Sequence, residues 1–205
     1  MRKLYVNIER IEINGELSDL ADLVISMDHA LQEIAWKSIE LTNNLMKYNQ
    51  SEAGQRFTDI VNVSETTRDS MNDEAEDLNS MQYELVEYHN KIAIFEMRND
   101  LVKEPNRYIR PTITISPDAG KIKIELPEMR EISAYMLEYI NDNKGIISEI
   151  RQMKDEIAII WRDPQYDLFA EFVDEVCLNT DETLNLYDDY RMKLDEDIKR
   201  IENHD

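Results

Sequence analysis

The chain has a single cysteine, Cys177, four glycines, five prolines and three histidines in 205 residues. One cysteine excludes an internal disulfide, and so little glycine and proline argues against a turn-rich β fold. Basic residues are scarce beside acidic ones: 23 − 44 gives a formal charge of −21, which makes nucleic acid and anionic membranes poor partners. No apolar run reaches the roughly 18 residues needed to span a bilayer. The start, Met1 to Arg10, is broken by Asn7, Glu9 and Arg10 before an apolar core develops, so no Sec-type signal peptide is expected. What the chain does have is 42% hydrophobic residues, too many for disorder despite the charge, and their spacing carries the fold.

Residues 3–13 place Leu4, Val6, Ile8, Ile11 and Ile13 at mostly period-two spacing, which predicts a strand ending at Asn14-Gly15. From Glu16 to Lys47 the apolar residues fall three and four apart, through Leu20, Val24, Met27, Leu31, Ile34, Leu41 and Leu45, the stripe of an amphipathic helix. Asn49 to Arg56 breaks it. A second helical pattern runs from Phe57 through Met71, Leu78, Met81 and Leu85 to Ile92, with its weakest burial expected over the polar stretch Ser64 to Asn72. The spacing over 107–116 and 120–126, around Pro-Asp-Ala-Gly, predicts a β-hairpin. Helical spacing resumes from Pro127 to Ile157, breaks at Trp161-Arg162-Asp163-Pro164, and returns from Phe169 to Ile201.

An offset of 112 maps Leu17 to Met129, Val24 to Met136, Ile34 to Ile146, Phe57 to Phe169 and Val61 to Val173. Apolar stripes align easily with one another, so the coincidence of the two breaks carries more weight than the matches. Either the halves are a duplication, or two unrelated hairpins share a stripe. The organisation read here is a first strand plus helical hairpin over 1–105, a central β-hairpin linker over 106–127, and a second helical hairpin over 128–205. The fold class is mainly α: two tandem long helical hairpins packed as a four-helix bundle, with a small β element made of the N-terminal strand and the central β-hairpin. The alternative is hairpins splayed apart, each pairing with a partner.

The second break reads Trp161-Arg162-Asp163-Pro164-Gln165-Tyr166-Asp167-Leu168-Phe169. It resembles the Trp-X-Gly turn of the small helical-hairpin proteins handled by type VII secretion, the ESAT-six-like family. There the Trp ends the first helix, Gly makes the turn, and an aromatic residue eight positions after the Trp opens the buried face of the second. Trp161 and Phe169 match, and Asp163 replaces the glycine; Asp tolerates left-handed backbone and can also cap a helix. In the first half the corresponding positions are Asn49 and Ser51, with Phe57 as the retained aromatic. Trp36 lies inside a helical stripe and reads as a core or partner-facing residue.

The resemblance implies a non-catalytic role: a type VII secretion substrate, or a targeting partner or chaperone of a secreted toxin. Its partner would be another helical protein or the secretion apparatus, with the chain itself a monomeric pseudo-dimer or a homodimer. The place implied is the bacterial cytoplasm, with export through a type VII system as an option. The family's export signal is a Tyr followed four residues on by Asp or Glu; Tyr187 and Tyr190 are followed at that spacing by Arg191 and Leu194, whereas Tyr5 with Glu9, Tyr48 with Glu52 and Tyr83 with Glu87 fit it, about as many as chance gives, and of these Tyr83 with Glu87 lies late in a hairpin. No catalytic residue, metal ligand set or cofactor is expected: the histidines His29, His89 and His204 stand far apart, Cys177 reads as a buried small hydrophobe, and acidic runs such as Asp73 to Asp77 read as solvated helix faces. The alternative function is an acidic cytoplasmic inhibitor, an immunity protein, whose charge covers a basic toxin site.

Overall fold

The computed structural model describes residues 4, 6–49, 55–110 and 126–203, with side chains left aside at 46–49, 55–61, 63 and 64. Four long helices follow one another: α1 at Leu17–Asn49, α2 at Gln55–Phe95, α3 at Leu126–Ile160 and α4 at Pro164–Glu202. Each buries the stripe its spacing predicts. In α1, Leu20, Val24, Met27, Leu31, Ile34, Leu41 and Leu45 are all buried, as are Leu78, Met81 and Leu85 in α2. Ile132, Met136, Ile140 and Ile150 do the same for α3, and Phe169, Val173, Val176, Leu184 and Tyr187 for α4. At about 1.5–3 kcal/mol for each large apolar side chain withdrawn from water, these stripes are the main stabilising term. In the polar stretch of α2 burial is thin, as expected: over 65–70 only Thr67 is buried, and continuous burial resumes at Met71 and Asn72.

The packed segments form two clusters that cut across the tandem halves. The first comprises Met1–Glu33, Met71–Arg110 and Ile147–Leu178, and the second Ile34–Ser70, Pro111–Ile146 and Asn179–Asp205, so each takes a stretch of all four helices. In the second cluster α1 and α3 are tied by a 2.7 Å hydrogen bond between the Ser38 and Tyr139 hydroxyls and by an ion pair of 2.8 Å between Lys37 and Asp142. Tyr139 in turn meets Tyr187 of α4 edge to face, with centroids 5.5 Å apart. The first hairpin therefore packs on the second, as a bundle requires.

The predicted β element is not found among the described residues. Instead of a strand over 3–13, Ile8–Arg10 makes a 3₁₀ turn, and Ile13 forms one isolated antiparallel bridge with Trp161. The reason is the shape of the partner. Asn14 N–H donates to the Ile160 carbonyl at 2.5 Å and Arg162 N–H to the Glu12 carbonyl at 3.2 Å, but α3 ends at Ile160 and α4 starts at Pro164, leaving no extended backbone beyond that gap to continue a ladder. Of the predicted central hairpin, 111–125 lies outside the described residues, 107–110 is irregular, and Leu126 already belongs to α3.

α2 ends in a left-handed turn. Arg98 N–H reaches the Ala93 carbonyl at 2.8 Å and Met97 N–H the Ile94 carbonyl at 3.2 Å, with Met97 at φ 57°. This is the helix stop usually given to glycine, made here with a side chain and a strain of about 1 kcal/mol. From it residues 98–110 double back as an extended strap along α2.

Candidate functional site

Trp161 sits between the end of α3 and the start of α4 with no solvent exposure, and Phe169 is equally buried. Their ring centroids lie 5.5 Å apart, and Tyr166 completes the cluster at 6.0 Å from Trp161 and 6.4 Å from Phe169. Pro164 opens α4 at the position where a missing N–H costs nothing, and Asp163 caps it, its Oδ1 accepting Gln165 N–H at 2.6 Å. The other oxygen, Oδ2, accepts the Trp161 indole N–H at 2.9 Å and Glu12 N–H at 2.6 Å. Gln165 adds a clamp: its Oε1 accepts Asn7 N–H at 2.6 Å.

Asp163 thus answers the question its sequence position raises. Among the described residues the only non-glycine at positive φ is Met97, so Asp163 does not imitate glycine's backbone; it works as a cap. Burial opposes its ionisation, but the bonds from Glu12 N–H, Trp161, Gln165 N–H and Tyr166 N–H outweigh that and hold its carboxyl below the usual carboxylate range. The result is a turn held by the N-terminal segment, with the Trp161 and Phe169 rings in the core and Tyr166 half-buried at its edge.

Of the degenerate turn, Ser51 lies outside the described residues, while Asn49 ends α1 and Phe57 lies in the first turns of α2. Tyr83 and Glu87 share a face of α2 but do not act as a pair. Tyr83 is half-buried, its hydroxyl donating to the Pro105 carbonyl while the Arg107 guanidinium lies 5.8 Å from its ring centroid. Glu87 is exposed and paired with Lys91. Trp36 is exposed, Cys177 buried, His29 exposed and His89 buried. Among the described residues no group of three His, Cys, Asp or Glu side chains could hold a metal.

A polar ladder under the strap is the feature that sequence spacing does not reveal. Asn90 reads Val102 from both sides, accepting its N–H at 2.9 Å and donating to its carbonyl at 2.8 Å. Asn79 accepts Tyr108 N–H at 2.9 Å, and His89 Nε2 meets the Asp100 carbonyl at 2.8 Å. The Asn79 amide N–H₂ faces three acceptors, Gln82 Oε1 at 2.6 Å, the Asn106 carbonyl at 3.1 Å and Asp28 Oδ2 at 3.2 Å. Asp28 also accepts from Gln32 at 2.6 Å, but its second oxygen is buried with no hydrogen-bond partner. Burial pushes the Asp28 carboxyl up to about 6, against the lowering effect of its bonds with Asn79 and Gln32. The acidic run Asp73 to Asp77 is likewise not wholly solvated, since Glu74 is buried and Asp73 and Glu76 both bind Arg110 of the strap.

Among the described residues no helix is long and apolar enough to cross a membrane. No family model, no curated protein and no solved structure matches this chain.

Proposed function

We propose that this chain is a non-catalytic helical interaction protein of the Trp-X-Gly-like kind, a type VII secretion substrate or the targeting partner of a secreted toxin. The observation that carries the reading is the aromatic closure at the α3–α4 turn, where Trp161 at the end of one helix packs on Phe169, eight residues later, at 5.5 Å. The family's hairpins use that spacing for that purpose. At that turn Asp163 spends its acceptors on the cap, the indole and Glu12, so its carboxylate holds the closure together. With Tyr83 held by the strap, an export signal would come from the partner, so the chain would travel as one member of a pair.

The test is export. The chain is expressed in a bacterium with a type VII system, and in the same strain lacking the system's ATPase, with and without a co-expressed Trp-X-Gly helical-hairpin protein as partner. Appearance in the medium only with both ATPase and partner supports the reading; retention in every strain opposes it. The immunity-protein alternative rests on the charge of −21 and predicts a toxin complex that weakens steeply with salt.

A further inference from the structure

A groove of about 580 Å³ opens between residues 4 and 6–9 and one face of α2. Its apolar lining comes from Leu4, Val6, Ile8, Met81 and Tyr88. Among the described residues that line it the charges are one-sided: Glu9, Asp77, Glu84 and Glu87 against Lys91, which is already paired with Glu87 at 2.5 Å. Among the described residues Glu9, Asp77 and Glu84 have no ion pair, so three carboxylates without a counter-charge among those residues border an apolar floor.

We propose that this groove receives a cationic amphipathic helix of a partner protein. The inference rests on the reading of the chain as a helical interaction protein and names the surface that does the binding. Charge complementarity selects a cationic occupant, and the apolar floor asks for more than a counter-ion. Spacing selects a helix. Asp77, Met81, Glu84 and Tyr88 recur along α2 at intervals of three and four, so acidic and apolar side chains alternate down one stripe. Asp77 and Glu84 are seven residues apart, about 10 Å along the axis. A helix lying alongside with Lys or Arg at positions i and i+7 and Leu at i+3 and i+4 would put its cations on those carboxylates and its apolar residues between Met81 and Val6. The side of the groove formed by residues 6–9 is held at Asn7 by Gln165 and beyond it at Glu12 by Asp163.

The experiment uses the full chain and a fluorescein-labelled, lactam-stapled 14-residue peptide with Lys at 3 and 10 and Leu at 6, 7 and 13, read by anisotropy at 0.15 M salt. Its Glu-for-Lys counterpart serves as the charge control. The expected result is saturable binding of the lysine peptide alone, weakened at least tenfold by Asp77→Asn with Glu84→Gln. Val6→Ser, which leaves charge untouched, should weaken it at least fivefold. Glu175→Gln with Glu182→Gln on α4 removes as much charge elsewhere and should leave binding within twofold. Equal binding by all variants would show diffuse attraction to an acidic chain and overturn the proposal, as would no binding by the wild type. Failure here leaves export through a type VII system standing, and a groove that binds while the chain is never exported would sink the secretion reading alone.

Discussion

Asp163 and Glu12, 151 residues apart in the chain, are joined by a 2.6 Å hydrogen bond from the Glu12 N–H to the Asp163 carboxylate. The same oxygen holds the Trp161 indole, so one side chain caps α4, orients the buried tryptophan and pins the N-terminal segment.

Replacing Asp163 by glycine therefore destabilises the chain. Asp163→Gly leaves the buried indole N–H without its acceptor and removes the cap, a loss of about 2–4 kcal/mol, while Asp163→Asn keeps the acceptor at one oxygen and loses less. Urea unfolding at pH 7 reads the difference; a glycine variant as stable as wild type contradicts this role. Because the folded carboxyl titrates below its unfolded value, its contribution is present above the ordinary carboxylate range and is lost as pH falls through the lowered value.

Asp28 behaves in the opposite sense. Its carboxyl rises from 3.8 to about 6 in the fold, so between those values the native state binds more protons than the unfolded chain. The stability contributed by that proton is complete below pH 3.8 and disappears as pH rises through 6. Asp28→Asn, which keeps an acceptor for Gln32 and Asn79 without the buried charge, should gain on the order of 2–3 kcal/mol at pH 7 and little at pH 4. Unfolding free energies of both proteins across that range check it, and a variant less stable at pH 7 refutes it.

Asn79 holds the strap to α2 and links it to Asp28 on α1. Asn79→Ala should speed amide exchange over residues 100–110 by at least tenfold while the centres of α3 and α4 stay protected. Uniform acceleration throughout the chain would show instead that the strap has no separate opening.

Met97 occupies the left-handed position that ends α2 and is almost fully exposed. Met97→Gly removes the backbone strain without uncovering a core contact and should stabilise by about 0.5–1 kcal/mol, after the glycine's cost in the unfolded chain. A loss of stability would mean that the Met97 side chain is held by contacts that matter.

The four helices were legible in the sequence because burial and spacing coincide: Leu20, Val24, Met27 and Leu31 are apolar, three or four apart, and buried. Trp161 and Phe169 were legible because two large aromatic residues bracket a break in that pattern. The N-terminal strand misled, since the alternation of Leu4, Val6 and Ile8 reports an extended, half-buried segment but not what it pairs with; here its partner is the short gap between two helices. The strap and its ladder were invisible for a related reason. Asn72, Asn79 and Asp28 are polar residues on helices, which periodicity assigns to solvent, and only tertiary packing brings the Tyr108 hydroxyl to Asn72 and the main chain of 106–108 to Asn79. Tyr83 with Glu87 matched a spacing without forming a pair, because the strap claims Tyr83.

Central to the account is that the two hairpins bury each other within one chain. Light scattering coupled to size exclusion tests this most directly. The prediction is a single species at 24.3 kDa, unchanged between 0.1 and 1 M salt; a dimer, or a mass that grows with concentration, would contradict it by showing hairpins that complete their cores on another molecule.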